Sequence, residues 1–249
     1  MHLQRAKFDN IISEFLPSKK PSNKVIIFAS GMPGYPGGKD RLLKYFSQKG
    51  YWVFLPRYRG TWESGGTFLD HSPHEDILDV ITELHKPFTS IWDGVEYVIE
   101  NPEFYIVGSS FGGPAAILCS LDERVKKVIA TGSVVDWVEE KNSPVEPMDW
   151  LGRVVRDAFG EGYRFSDADW ERLSNGELYN PIDYIHDIDP QKVLIIHAKD
   201  DDVVSYAPVH DFAKKLECQF ITLKKGGHLG SGSLVKWNLR RKIWIFLNK

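Results

Sequence analysis

The 249-residue chain is poor in cysteine, with two in all, and Cys119 and Cys218 stand too far apart to form a metal-ligand motif or a disulfide framework. Both read as small buried apolar residues, and the expected compartment is the reduced cytoplasm. Long hydrophobic runs are missing too. The longest, such as Val25–Ala29 and Tyr51–Leu55, are a handful of residues, whereas a bilayer-spanning helix needs ~20. Met1-His2-Leu3-Gln4-Arg5 has no apolar core of a signal peptide. No charge of one sign dominates. Lys plus Arg is 31 against 34 for Asp plus Glu, a net charge of -3, so there is no basic footprint for a phosphate backbone. Together these features point to neither a membrane nor a nucleic-acid partner. What remains is ordinary globular composition, 42% hydrophobic and 26% charged, which excludes a disordered chain.

Short β-branched and aromatic runs alternate with helical patterns. Val25–Ala29, Tyr51–Leu55, Phe104–Gly108, Val125–Thr131, Val193–Ile196 and Phe220–Leu223 read as strands, several without polar alternation and therefore buried on both faces. Helices are expected over 39–48, from Ser72-Pro73 onward, over 112–121, 208–216 and 234–247. At Ser72 the pattern predicts a capping box, with the Ser72 hydroxyl accepting from the Glu75 amide and the Glu75 carboxylate reaching back. The stretch 87–100 is expected to be helical. Ile11–Leu16 is expected to add an antiparallel edge strand. Alternating strands and helices imply an α/β fold, a mostly parallel sheet flanked by helices. The whole chain, 1–249, reads as one domain. About 60 residues between the strands ending at Thr131 and starting near Lys192 are too long and too aromatic for a plain crossover. They read as a helical cap inserted over 134–190.

Gly108-Ser109-Ser110-Phe111-Gly112 is a G-x-S-x-G between an apolar strand and an Ala-rich helix. That context suits a nucleophile elbow, a turn that strains the backbone at Ser110 and presents its hydroxyl at the carboxyl end of the sheet. A serine needs a base, and Gly226-Gly227-His228 follows the last strand on a flexible loop. An acid is expected after the preceding strand, in His197-Ala198-Lys199-Asp200-Asp201-Asp202. Asp201 is the first choice, Asp202 the second and Asp136 the third. The order Ser110, Asp201, His228 matches the α/β-hydrolase order. Oxyanion donors would be the amides of Phe111 and, after the first parallel strand, Met32. Pro33 has no N–H to offer. His71-x-x-His74-Glu75 has the look of a ligand cluster, but the helix start at Ser72 accounts for it, and no metal is expected. Gly38-Lys39 is followed by Asp40 rather than Ser or Thr, so the glycines before it do not make a phosphate loop.

With these residues in hand, the sequence resembles the α/β-hydrolase superfamily from about Val25 onward. Within it, it looks most like the catalytic domain of the prolyl oligopeptidase family and its single-domain esterase relatives. Arg59-Gly60, Ser64-Gly65-Gly66, Gly108–Gly113, Val135-Asp136-Trp137, Asn180-Pro181-Ile182, the 197–204 loop and Gly227-His228 carry the resemblance. It implies serine hydrolysis of an ester or amide through an acyl-enzyme, with no metal or organic cofactor; the alternative is a single-domain peptidase acting on short peptides, and the third reading a non-catalytic binding protein on the same fold. The chain departs from the family pattern in two ways. Ser30-Gly31 stands where His-Gly is frequent, and 249 residues leave no room for a propeller. For the tyrosine that assists those peptidases' oxyanion hole, Tyr35 is the candidate. A peptidase would further need a charged anchor in the cap, for which Glu139, Glu140, Arg153 and Arg156 are available.

Overall fold

The computed structural model describes residues 3–141, 143 and 146–249. Met1 and His2 of the leader reading, and Asn142, Pro144 and Val145 within the expected cap, lie outside them. In chain order the elements are β1 (Gln4–Phe8), β2 (Ile11–Leu16), β3 (Lys24–Ala29), α1 (Asp40–Gln48), β4 (Trp52–Pro56), α2 (Pro73–Glu83), β5 (Phe88–Thr89), β6 (Glu96–Tyr97), β7 (Glu103–Ser109), α3 (Gly112–Cys119), β8 (Val125–Thr131), α4 (Trp137–Lys141), α5 (Met148–Phe159), α6 (Asp167–Ser174), β9 (Val193–Ala198), α7 (Tyr206–Leu216), β10 (Gln219–Leu223) and α8 (Trp237–Leu247).

Eight strands form one sheet in the order β1-β2-β4-β3-β7-β8-β9-β10. From β4 to β10 every neighbouring pair is parallel; β2 joins β4, and β1 joins β2, antiparallel. The expected edge strand is thus a hairpin of two. Apolar residues on both faces of the central strands explain the unbroken runs. In β3, Val25, Ile27 and Ala29 enter one core with α2, α3 and α7, while Ile26 and Phe28 enter a second core with α1 and α8. The chain leaves β3 toward β4 on one side, and β7 pairs on the other. Loops at the carboxyl ends of β3 and β7 therefore diverge, which opens a crevice at the sheet's switch point.

Two expectations fail. Residues 87–100 form not a helix but a small antiparallel hairpin, Phe88 opposite Tyr97. Phe88 and Tyr97 stack on each other at a ring separation of 5.7 Å and meet Phe15 edge-to-face at 5.3 and 5.4 Å. These aromatic contacts outweigh the weak helical spacing of the segment. Ser72 does precede α2 with Pro73 in the first turn, but its side chain makes no cap hydrogen bond. The Glu75 amide donates instead to the Ser72 backbone carbonyl, at 2.9 Å. The capping box is found at Ser166–Asp169, ahead of α6.

Candidate active site

Ser110 sits between β7 and α3 with φ of +52°, a left-handed conformation that costs a non-glycine residue ~1–2 kcal/mol. Three glycines around it are fixed by contact. A Cβ on Gly108 would lie 2.1 Å from the Gly112 carbonyl oxygen, one on Gly112 2.2 Å from that of Ala29, and one on Gly113 2.1 Å from the Ser133 hydroxyl. Register completes the placement. Gly108 lies between Ala29 of β3 and Ala130 of β8, so the loops after these three strands meet at one rim.

His228 reaches the same rim from the far side of β8. The Ser110 amide donates to the Thr131 carbonyl at 2.9 Å. At the next residue, Gly132, a Cβ would lie 3.2 Å from His228 Cε1. Ser110 and His228 border two common cavities. Among the described residues the Ser110 hydroxyl has no hydrogen-bond partner.

Of the three aspartates, Asp201 meets the imidazole. Its side chain is fully buried, and its two oxygens lie 3.0 and 3.1 Å from His228 Nδ1. Oδ1 also accepts from the Val203 and Val204 amides, both at 3.0 Å. Burial pushes the Asp201 pKa up, but the His228 hydrogen bond and charge, with the two amides, pull harder and hold it below the usual carboxylate value. A carboxylate only accepts, so Nδ1 carries the proton and Nε2 keeps its lone pair. Asp202 is exposed. Asp136 accepts from the Val138 amide at 2.9 Å and so holds the start of α4.

Sequence reasoning missed two supports. Asp200 accepts from the Gly226 and Gly227 amides at 2.8 and 3.0 Å, so adjacent acids hold the loop of His228 and its ring. Buried His197 lies 3.0 Å through Nε2 from the Val204 carbonyl and 3.4 Å from Asp201 Oδ2. Burial lowers its pKa, which keeps the ring neutral beside the acid. The run of three aspartates was the only sign that this loop does more than supply one acid.

Among the described residues neither the Met32 nor the Phe111 amide finds an acceptor. Both residues border the smaller shared cavity, of about 230 Å³, whose other walls include Trp137, Met148 and Leu151 of the segment between β8 and β9. Trp137 is fixed by its amide to Asn180 Oδ1 at 3.0 Å and its indole to the Tyr179 carbonyl at 3.0 Å, and the Tyr179 hydroxyl donates to the Phe111 carbonyl at 3.3 Å. The Val135–Trp137 and Asn180–Ile182 motifs thereby tie the inserted helices to the turn that bears Ser110. Tyr35 is exposed and packs on Phe159, 5.2 Å between rings. It borders the wider shared cleft, of about 700 Å³, and among the described residues no hydrogen bond fixes its hydroxyl. Arg59 is paired with Asp76 at 2.5 Å and Asp79 at 2.7 Å, both on α2, and a Cβ on Gly60 would lie 1.9 Å from the Phe68 amide nitrogen. No group of three or more His, Cys, Asp or Glu side chains able to hold a metal occurs among the described residues; His71 pairs with Asp76 at 3.1 Å. Among the described residues no helix is long and apolar enough to cross a membrane.

A strained serine at the switch point of a mostly parallel sheet flanked by helices is the architecture of an α/β-hydrolase. Residues 39–249 match the prolyl oligopeptidase family, and the chain belongs to that family of serine hydrolases. Solved structures agree on the fold. The acylaminoacyl peptidase of Pyrococcus horikoshii superposes with a TM-score of 0.67 at 18% identity, covering 100% of this chain and 41% of its own. The chain therefore spans about two fifths of that peptidase. Est1E of Butyrivibrio proteoclasticus, solved with ferulic acid, gives 0.69 at 19% identity, covering 98% of this chain and 99% of its own. The esterase PF2001 of Pyrococcus furiosus gives 0.69 at 15%, covering 98% and 89%. No curated protein matches the chain significantly.

Proposed function

We propose that the chain hydrolyses a carboxylic ester or small amide through an acyl-enzyme, with Ser110 as nucleophile, His228 as general base and Asp201 as its orienting acid. One observation carries the reading. The imidazole that Asp201 holds by Nδ1 borders the same two cavities as a serine in left-handed backbone. In apo enzymes the serine–imidazole hydrogen bond is often long and tightens only on substrate binding. His228 Nε2 takes the Ser110 proton as Oγ attacks the carbonyl carbon. The oxyanion forms against the Met32 and Phe111 amides and the positive end of α3. The imidazolium, stabilised by ionised Asp201, protonates the leaving oxygen or nitrogen. Water then repeats the sequence in reverse and frees Ser110. The segment 134–190 acts as the cap that shapes the acyl pocket.

A second reading, cleavage of short peptides, draws on the family match. Nitrophenyl esters against aminoacyl-coumarins separate the two. Ser110→Ala tests the common core. It should abolish fluorophosphonate labelling and lower ester turnover by ~10⁴-fold or more. Undiminished turnover in that variant would sink the assignment.

A further inference from the structure

Charge is segregated along the chain. Beyond Glu217 there is no aspartate or glutamate, yet seven lysines and arginines occur in residues 218–249. The net charge of -3 conceals this basic end. Folding gathers much of it on one face. α8 buries Leu239, Ile243, Phe246 and Leu247 in the second core, so its other side is turned outward. There Trp237 is 80% exposed, Ile245 45% and Trp244 40%, among Arg240, Arg241 and Lys242. With Tyr45 and Lys49 at the end of α1 they line a groove of about 810 Å³ that has no carboxylate in its wall. Arg240 lies over the Trp237 ring at 4.2 Å and Lys49 over that of Trp244 at 5.6 Å. Among the described residues none of Lys49, Arg240, Arg241 and Lys242 has a carboxylate partner. Apolar surface of this size beside unpaired cations marks an interaction face.

We propose that this face of α8 docks on a lipid bilayer that carries anionic headgroups. The mixture of side chains selects that partner. Indole rings settle at the level of the headgroups, and arginine and lysine reach the phosphates while their stems stay in the apolar layer. Cations with no acid among them are drawn to a negative surface. Such a contact lies in the plane of the interface and needs no spanning helix. Its position has a consequence for the site. Val235, just ahead of α8, borders the wide cleft of Ser110 together with Gly230, Ser231 and Gly232. α1 gives Arg41 and Leu42 to that cleft and Tyr45 and Lys49 to the groove. A docked chain therefore has the cleft beside the lipid surface. The inference does not depend on the hydrolase reading.

Flotation of the intact chain with vesicles tests this, comparing phosphatidylcholine alone with phosphatidylcholine containing phosphatidylglycerol. Binding should be ~30-fold or more tighter to the anionic vesicles and should weaken as salt is raised. R241Q/K242Q should lose ~30-fold in affinity for them, the size expected for two cations at the surface. W237S/W244S should lose binding too, along with the quenching of tryptophan emission by lipid brominated on its acyl chains. K214Q/K215Q removes the same charge from α7, which packs against the opposite core, and should bind as the unmodified chain does. All six substituted side chains are exposed, and an unchanged far-UV spectrum and melting temperature would show each fold intact. No binding to either vesicle, equal binding to both, or an equal loss in the α7 variant overturns the inference. So does tight binding of a single-stranded oligonucleotide that R241Q/K242Q abolishes, in place of vesicle binding.

Discussion

At the scale of single residues, three successive aspartates have three different surroundings. Asp200 grips backbone amides of the histidine loop, Asp201 is buried against the imidazole, and Asp202 faces solvent. Asp201→Asn should therefore lower ester turnover by ~10⁴-fold by allowing the wrong tautomer of His228, whereas Asp202→Asn should stay within about twofold, a surface effect. Matched losses in the two variants would contradict the geometry. The sequence narrowed the acid to this loop but left the register open. A one-residue shift of a loop changes no periodicity, and only the position of the Val203 and Val204 amides decides which carboxylate turns inward. The Ser110 elbow was legible, because glycines at 108, 112 and 113 next to an apolar strand have few other uses.

At the scale of elements, contact geometry sets the size of two further effects. Gly108 is locked by backbone, since a Cβ would meet the Gly112 carbonyl oxygen at 2.1 Å and no rotamer can yield. Gly108→Ala is expected to cost ~3 kcal/mol or more, seen as a fall in the denaturant midpoint at unchanged slope. Helix caps provide the second. Ser166 accepts from the Asp169 amide at 3.1 Å and closes a reciprocal cap. Ser166→Ala should cost ~1 kcal/mol, and Ser72→Ala, whose hydroxyl caps nothing, only a few tenths. Equal costs would show that the two helix starts are alike after all. The Ser72 pattern was misleading because sequence records which residues could cap and not which way a hydroxyl rotates. The 87–100 hairpin was missed because its two-residue strands are too short to show alternation and are held by aromatic rings from β2, distant in sequence.

Across the whole molecule, acid sensitivity is set before the carboxylates titrate. Burial at the start of α2 lowers the His74 pKa from 6.5 to about 4, and among the described residues its buried Nδ1 has no partner. The unfolded chain takes up this proton and the native one resists it. Its contribution is complete above pH ~6.5 and is lost as pH falls toward 4, a swing on the order of 3 kcal/mol. His71, three residues earlier and paired with Asp76, has the opposite sign. The Asp76 hydrogen bond raises its pKa, so its contribution is present below the ordinary histidine value and fades as pH rises through the raised one. Stability measured from pH 7 to 4 should fall less steeply in His74→Gln and more steeply in His71→Gln. Identical acid limbs in all three proteins would refute this account.

By itself the sequence determined the parallel α/β architecture and the identity of the candidate nucleophile and base, because strand burial on both faces and the glycine-flanked turn are local patterns that a chain carries in its order of residues. Tertiary structure decided which aspartate faces the imidazole, that β1 and β2 form a hairpin at the sheet's edge, and that Glu140, alone of the four charged candidates in the inserted segment, borders a cavity with Ser110. Each of those depends on how segments far apart in the chain are packed, on distances and solvent exclusion that no single stretch of residues encodes.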